Sequence, residues 1–406
     1  MAVGPSDLPT LYPVSGIRLG TTAAGLRKPG RRDLVVIECA PDTDVAAVFT
    51  RNRFCAAPVE VARLHLGSGA PRALLINTGY ANAGTGALGL EDCHATCHAL
   101  ARELGCDPER ILPFSTGVIG ERLPIERLLA ALPDAVGDLS ASNWADAANG
   151  IMTTDSAPKG SSRRVQLGKR EVTVTGIAKG AGMIRPDMAT MLAFVATDAA
   201  ISGEALSACV IAATSRSFNR ITVDGDTSTN DACVLLATGH AGNESIDKPA
   251  GPLYEALLKA VTDVCTELAH AIVRDGEGAT KFITIDVAEG DSQADCLEVA
   301  YTIAHSPLVK TAFFASDPNW GRILAAVGRA RVARLDVARV AIWLNDTCVV
   351  RDGALAADYT EEQGRAAMHP SEIRVRVTLG LGQHSARVWT CDFSHDYVRI
   401  NADYRS

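Results

Sequence analysis

The sequence predicts a layered fold of the α/β or α+β class, in which helices cover β-sheets. Two observations support this. Apolar stretches of strand length alternate with amphipathic stretches of helix length along most of the 406 residues, and from Lys281 onward strands dominate this alternation. The change in rhythm predicts a domain boundary near residue 280, with a main domain at 1–280 and a smaller α+β domain at 281–406.

The first half of the chain supplies most of the alternation. We predict buried strands at 72–77 and 111–116 and helices at 91–105 and 123–136, the latter with Pro124 in its first turn, where a missing N–H costs little. Ser142 is the predicted N-cap of a helix that runs to Met152. The residues Gly168 and Lys169 separate two alternating stretches and predict a hairpin between 165–167 and 171–177.

The remaining elements follow from the same two periods. Helices are predicted at 203–217, 253–274 and 294–306. We predict strands directly after Thr190 and at 220–223, 232–237, 282–287, 338–344, 347–351, 372–379 and 386–392.

Composition excludes several classes of protein. A hydrophobic content of 47% and a charged content of 21% are typical of globular chains. The net charge of −8 argues against nucleic-acid binding, and no apolar run reaches the ~20 residues of a membrane span. The first ten residues lack a signal-peptide pattern, and the 11 cysteines include no C-x-x-C pair. We therefore expect a cytoplasmic protein with free thiols.

Two motifs resemble known ligand sites, but a structural interpretation is favoured for both. Cys93-His94 and Cys97-His98 lie four residues apart in a predicted helix, without a second ligand pair at zinc spacing. The glycines of 84–89 spell G-x-G-x-x-G, but six residues separate them from the preceding strand, and the next strand lacks the acid that binds a ribose. We expect a packed helix in the first case and a glycine-rich loop that shapes a pocket in the second.

The loop 224–231 holds three acids, three hydroxyls and an asparagine between two predicted strands. It lacks the spacing and the terminal glutamate of an EF-hand. An acidic turn stabilised by its own side chains is the favoured interpretation, and a contribution to a polar substrate pocket is the alternative.

The segment 179–192 predicts a reachable but rigid nucleophile. A glycine-bearing loop leads to Thr190, which directly precedes the apolar run 191–196. If the chain were cut between Ala189 and Thr190, Thr190 would carry a hydroxyl nucleophile and a free α-amine that could serve as its base. At a second strand end, Thr116 and Gly117 offer a hydroxyl and a backbone N–H, two donors that suit an oxyanion, although a plain turn is the favoured interpretation of this pair taken alone.

Several such blocks occur together and in order, and through them the chain resembles the ornithine acetyltransferase family, the glutamate N-acetyltransferases of arginine biosynthesis. The blocks are 115–120 (STGVIG), 153–155 (TTD), 179–192 (KGAGMIRPDMATML), 219–231 (NRITVDGDTSTND), 277–281 (EGATK), 316–322 (SDPNWGR) and 401–404 (NADY).

The resemblance implies a fold and a maturation step. The implied fold is an α/β/β/α sandwich, similar to the N-terminal-nucleophile hydrolases but differently connected. Family members are made as one precursor that cuts itself before the residue matching Thr190. This implies an α chain (1–189) and a β chain (190–406) that assemble as α2β2, without a metal or an organic cofactor.

The resemblance also assigns roles to individual residues. Thr190 attacks the acetyl group of N2-acetylornithine, with Thr116 and Gly117 as the oxyanion hole, and glutamate then takes the acetyl group in a ping-pong cycle. An α-amine with a pKa of ~7.7–8.0 is a better base at neutral pH than a lysine at ~10.4. The implied substrate-binding positions, which also include Thr190, are Thr154, Lys179, Glu277, Asn401 and Ser406.

This chain departs from the family pattern at three places. Asp187 stands where asparagine is usual, Tyr80 and Gly84 replace commoner residues, and Ser406 replaces a commoner threonine. The sequence leaves open whether acetyl-CoA is a second donor. It also leaves two alternatives to acetyl transfer: a threonine-dependent aminopeptidase or amidase of the same fold, and a noncatalytic binding protein whose chain stays uncut.

Overall fold

The computed structural model describes residues 3–4, 7–185 and 191–403. Its chain divides into two compact units. The larger unit comprises Asp7–Asn219 and Asp226–Ile272, and the smaller unit comprises Met1–Ser6, Arg220–Gly225 and Val273–Ser406. Each unit is described by itself, and the division into domains at 1–280 and 281–406 stays a prediction.

The larger unit contains two β-sheets. Their strands are β1 (Ile17–Thr22), β2 (Leu34–Cys39), β3 (Asp44–Phe49), β4 (Ala73–Tyr80), β5 (Ile111–Val118), β6 (Lys159–Leu167), β7 (Arg170–Lys179), β8 (Leu192–Thr197) and β9 (Ala232–Ala237). One sheet has the order β1-β2-β4-β5, with β4 and β5 parallel. The other has the order β3-β9-β8-β7-β6, with β8 and β9 parallel.

The two sheets pack face to face, and most of the helices lie on their outer faces, whereas the helix at Trp144–Gly150 packs into the core between the sheets. Phe114 and Phe194, one from each sheet, meet edge to face with ring centroids 5.1 Å apart. The helices are α1 (Ala57–Leu66), α2 (Gly86–Leu104), α3 (Ile125–Gly137), α4 (Trp144–Gly150), α5 (Gly203–Arg216) and α6 (Pro252–Arg274). The apolar faces of α2 and α3 share a buried cluster with the first sheet, and α6 lies against β7 of the second at Gly176. This is the expected α/β/β/α sandwich.

The smaller unit is a mixed sheet with helices. Its strands are β10 (Phe282–Gly290), β11 (Ala341–Leu344), β12 (Thr347–Arg351), β13 (Ala354–Leu355), β14 (Glu372–Thr378) and β15 (His384–Cys391), in the order β13-β12-β11-β14-β10-β15. Its helices are α7 (Gln293–Ala304), α8 (Pro307–Phe314), α9 (Trp320–Gly328), α10 (Glu361–Met368) and α11 (His395–Ala402). Buried residues of α7 and α9 pack on the sheet.

Most predicted elements are confirmed, including the Gly168-Lys169 hairpin, where Leu167 pairs with Arg170. Three predictions are wrong in part. The strand predicted at 220–223 is a short 3₁₀ turn at Phe218–Arg220 followed by one isolated bridge from Ile221 to Trp389. Its four residues find no neighbouring strand to continue the ladder.

The other two errors concern element ends. Ser142 does not cap α4: the N-cap is Asn143, and the Ser142 amide donates to Ser140 Oγ instead. The strand predicted at 338–344 begins only at Ala341, because Val337–Arg339 forms a 3₁₀ turn that starts with the Asp336 side chain accepting from the Ala338 amide. Among the described residues, no helix combines the length and apolarity needed to cross a bilayer.

Candidate active site

The end of β5 carries Thr116 and Gly117 in a backbone conformation that requires glycine. β4 and β5 run parallel, and their register shifts at Gly79 and Tyr80, opposite Gly117. Gly117 has φ +136°, and a Cβ there would lie 2.2 Å from the Gly79 carbonyl carbon. Thr116 is buried. Backbone packing therefore fixes the two predicted oxyanion-hole residues.

Three buried polar side chains hold this strand end. Ser115 Oγ donates to Asn77 Oδ1 at 2.6 Å, and Asn77 Nδ2 donates to the Tyr80 carbonyl at 3.0 Å. Asn230 Nδ2 donates to the carbonyls of Ser115 at 2.9 Å and Ala81 at 2.5 Å. The acidic loop 224–231 thus contributes a structural amide beside Thr116, a role that its composition did not reveal.

A buried ion pair joins Lys159 to Asp155, the residue that follows Thr154. Thr154 is half-buried in the loop between α4 and β6, and the carboxylate of the next residue, Asp155, is fully buried. Asp155 Oδ1 accepts from Lys159 Nζ at 2.6 Å and from the Gly180 amide at 2.7 Å. Burial raises the pKa of Asp155, but the charges of Lys159 and Lys179 outweigh burial and hold the pKa well below its usual value.

Lys179 ends β7 and interacts electrostatically with two buried carboxyl groups. Its charge acts on Asp155 and on Asp231. Asp231 is 3% exposed, and its Oδ2 has no hydrogen-bond partner among the described residues. Burial raises the pKa of Asp231 well above its usual value, although Lys179 and Ser228 act in the opposite direction.

These contacts bring together the predicted residues of the larger unit. Thr116 follows Ser115, which is bonded to Asn230, the neighbour of Asp231. Asp231 interacts with Lys179, and Lys179 interacts with Asp155, the neighbour of Thr154. Buried polar groups with perturbed pKa values that converge in this way are typical of functional sites.

The predicted nucleophile lies outside the described residues, as do Ala189, Asp187 and Ser406. The described chain resumes at Met191, whose carbonyl accepts from the Ala232 amide at 2.9 Å. Leu192 then pairs with Lys179 on one side and with Ala232 on the other. The described chain therefore resumes in a strand that lies between the strands of Lys179 and Ala232.

The smaller unit brings together two of its predicted substrate residues, Glu277 and Asn401. Glu277 is 7% exposed, and its Oε2 accepts from Asn401 Nδ2 at 2.8 Å. Asn401 is exposed near the end of α11. The hydrogen bond joins residues that are 124 positions apart in sequence.

The Cys93–Cys97 helix face forms a polar cluster with His65. Hydrogen bonds from Cys93 and His65 lower the pKa of Cys97 to about 6 despite burial. His65 Nδ1 also bonds the Ile111 carbonyl at 2.7 Å. No group of three or more metal-ligating side chains occurs in the described part of the chain.

Sequence reasoning missed the roles of Asp155, Lys159, Asn230 and Asp231. Three of them lie within blocks that carried the family resemblance, but no pattern in those blocks distinguishes a buried carboxylate from an exposed one. Lys159 lies in no motif. The available signal was weak: Asp155 and Lys159 are four residues apart with opposite charges in an otherwise apolar, proline-containing stretch.

Comparison with known proteins supports a relationship along the chain. A family model described as the ArgJ family matches residues 18–406. Proteins named "Arginine biosynthesis bifunctional protein ArgJ" from Pseudomonas syringae pv. tomato and Pseudomonas fluorescens are 56% and 55% identical, and each alignment covers the whole of both chains. A crystal structure of the argJ protein from Bacillus halodurans is 39% identical with a TM-score of 0.51, covering 53% of this chain and all of that one.

Proposed function

Since this chain belongs to the ArgJ family, we propose that it transfers the acetyl group of N2-acetyl-L-ornithine to L-glutamate in arginine biosynthesis. The observation that carries the proposal is the strand end at Thr116 and Gly117. The backbone at Gly117 leaves no room for a Cβ. The Thr116 hydroxyl and the Gly117 amide therefore lie at the carboxyl edge of a buried sheet.

The proposed chemistry begins with maturation. The bond between Ala189 and Thr190 is cut, which gives chains 1–189 and 190–406 and frees the α-amine of Thr190. Because an α-amine has a pKa of ~7.7–8.0, it can accept the hydroxyl proton at neutral pH. We also propose that the two chains assemble as α2β2 in the cytoplasm, without nucleic acid or membrane.

Acetyl transfer then proceeds in two steps. Thr190 Oγ attacks the acetyl carbonyl, and Thr116 and Gly117 stabilise the negative charge that develops on the carbonyl oxygen. Ornithine leaves with the proton that the amine accepted, and acetyl-Thr190 remains. The amine of glutamate then attacks this ester, which gives N-acetylglutamate and restores Thr190. No metal or organic cofactor takes part, so a chelator should leave the rate unchanged.

The remaining predicted residues bind the amino-acid substrates. We assign Lys179 to a substrate carboxylate and Glu277 to an ammonium group, with Thr154, Asn401 and Ser406 completing the contacts. Glu277 supports this assignment because it is a buried carboxylate that accepts from a neutral amide, Asn401. A Glu277→Gln variant with unchanged kinetics for both substrates would refute its role.

A second activity is proposed from the relatives. The Pseudomonas proteins are named bifunctional, and acetyl-CoA is a chemically equivalent donor for acetyl-Thr190. Incubation with acetyl-CoA and glutamate tests this directly, because the bifunctional enzyme should release N-acetylglutamate and free CoA at a rate that Thr190→Ala abolishes.

The central experiment examines the cut and the transfer together. Purified protein should give two bands on a denaturing gel, and the larger chain should begin Thr-Met-Leu-Ala-Phe. Thr190→Ala should remain uncut and inactive, whereas Thr311→Ala, at an exposed threonine of α8, should behave as wild type. A single uncut band with full acetyl transfer would refute the α-amine as base. Hydrolysis of amino-acid amides without transfer to glutamate would favour an amidase.

A further inference from the structure

Helix α11 contacts the rest of the smaller unit through one polar face. Its N-cap Ser394 and the residues Tyr397 and Asn401 are spaced by three and four positions, which places them on the same side of the helix. No described residue within the helix is buried, and Val398 is 68% exposed. Since little apolar surface holds α11, polar contacts decide its position.

Each residue of this face has a defined partner. Ser394 Oγ donates to the Gly278 carbonyl at 2.6 Å, and Asn401 Nδ2 donates to Glu277 Oε2 at 2.8 Å. The Tyr397 hydroxyl donates to Asp224 Oδ2 at 3.4 Å. The helix therefore contacts two acidic residues, Glu277 and Asp224. Only Glu277 has a role in the proposed reaction.

The approach of the Glu277 segment to α11 is close. Gly278 has φ +72°, and a Cβ there would lie 2.6 Å from both Ser394 Oγ and the Tyr397 amide nitrogen. A displacement of α11 would therefore be transmitted to Glu277 through the backbone as well as through Asn401.

A buried lysine supports the Tyr397 end of the face. Lys310 is 1% exposed, and its Nζ donates to Thr390 Oγ1 at 2.9 Å and to the Cys391 carbonyl. Nζ also lies 4.5 Å from the centroid of the Phe393 ring, and that ring stacks on Tyr397 at 4.7 Å. Burial lowers the pKa of Lys310, while Cys391, Asp392 and Asp224 oppose the shift. The charge of Asp224 thus acts on the buried Lys310, while its carboxylate accepts from the Tyr397 hydroxyl.

We propose that Tyr397 and Asp224 are positioning residues for substrate binding: together they hold α11 so that Asn401 and Glu277 present one amide–carboxylate pair to an amino-acid ammonium group. This inference rests on the proposed function. Neither residue touches the reacting atoms, so their loss weakens binding of both substrates and leaves the chemical step unchanged.

The test uses Tyr397→Phe, which keeps the ring that stacks on Phe393 and deletes only the hydroxyl. In steady-state assays of the full enzyme, we expect KM for acetylornithine and for glutamate to rise roughly tenfold, with kcat within about twofold of wild type. Val398→Ala, at an exposed position of the same helix, should leave both constants unchanged. Asp224→Ala, which removes the acceptor, should match Tyr397→Phe in KM, and the double variant should be no worse than either, because the two residues act as one pair.

Hydrogen exchange of the ligand-free proteins provides a readout independent of activity. Amides of 395–402 should exchange faster in Tyr397→Phe than in Val398→Ala, while those of β10 and β15 should exchange equally in both. Unchanged KM values and unchanged exchange of α11 in Tyr397→Phe would overturn the inference. A wild-type enzyme without acetyl transfer would refute the proposed function instead, and the exchange of α11 would still decide whether Tyr397 positions the helix.

Discussion

The strand end at Thr116 and Gly117 and the helix that carries Asn401 are positioned by opposite means. In the larger unit, the backbone of β4 and β5 leaves no room for a side chain at Gly117, and buried amides bond the surrounding carbonyls. In the smaller unit, α11 is exposed and attached by side-chain contacts. Residues that stabilise a transition state need a rigid frame, whereas residues that admit a substrate can lie on an element that moves. The two regions should therefore respond differently to substitution.

Gly117→Ala should have the largest effect, because it disrupts the rigid strand end at Thr116 and Gly117. Its Cβ would meet the Gly79 carbonyl carbon at 2.2 Å, at a φ that L-residues avoid. The expected loss of unfolding free energy is on the order of 3 kcal/mol or more, accompanied by loss of acetyl transfer. Chemical denaturation measures the first and an acetyl-transfer assay the second. Gly137→Ala is the control, because a Cβ there meets nothing within 4 Å. Equal free energies of unfolding for the two variants would show that the backbone at Gly117 can shift to make room for a Cβ.

Asp155→Asn should remove the countercharge of a buried lysine. The side chains of Lys159 and Asp155 are 2% and 0% exposed, so the variant leaves Lys159 buried and uncompensated, at a cost of ~3–5 kcal/mol. Asp263→Asn is the matched control, because it breaks an exposed pair with Lys259 at the same spacing and should cost less than ~1 kcal/mol. Urea unfolding at pH 7 compares them. Similar values would show that solvent reaches the Asp155 pair.

The cost of Asp155→Asn should also depend on pH. The folded state lowers the pKa of Asp155, so the folded protein binds fewer protons than the unfolded chain, and stability from this group falls as pH falls. The contribution is complete above the ordinary aspartate pKa of ~3.9 and is lost as pH falls toward the folded value. Unfolding at pH 7, 5, 4 and 3 should show wild type and variant converging only at the acid end. A constant difference would contradict the lowered pKa.

Asn230→Ala tests whether the Asn230 amide holds the strand end at Thr116 and Gly117, with a smaller expected loss of stability. It leaves the carbonyls of Ser115 and Ala81 without their donor inside the protein, for an expected loss of ~2 kcal/mol. Because Thr116 follows Ser115, kcat should fall more than KM changes. Asn149→Ala removes an exposed helical amide that bonds the Ala145 carbonyl and should have almost no effect on either. A wild-type kcat in Asn230→Ala would show that catalysis does not depend on the hydrogen bonds of Asn230.

The contrast between the regions also explains what the sequence could predict. Strands β4 and β5, the Gly168-Lys169 hairpin and helix α6 follow from local periodicity. Thr116 and Gly117 are predicted site residues because a strand end and a family block coincide there. Local patterns failed where distant residues decide the structure. Asn230 bonds Ser115 across 115 positions, and Ile221 makes only a single bridge to Trp389.

The smaller unit was less predictable for the same reason. Helix α11 has no buried apolar stripe that sequence could reveal, and its contacts include hydrogen bonds to Gly278, Glu277 and Asp224. The resemblance assigned roles to Glu277 and Asn401, but it gave no reason for them to touch. Their contact depends on the close approach at Gly278, which only three-dimensional packing determines.

Asn401→Ala should have the smallest effect on stability and completes the comparison. The substitution is the same as Asn230→Ala, but Asn401 is exposed, so water can replace its amide at Glu277 and the loss should be at most ~0.5 kcal/mol. Substrate affinity should still fall, because the variant removes a proposed substrate contact while kcat stays near wild type. Denaturation and steady-state kinetics of the two variants, measured side by side, should show stability and kcat falling in Asn230→Ala and KM rising in Asn401→Ala. If both variants lost stability and kcat alike, α11 would be as rigid as the strand end, and substrate would have to enter without its movement.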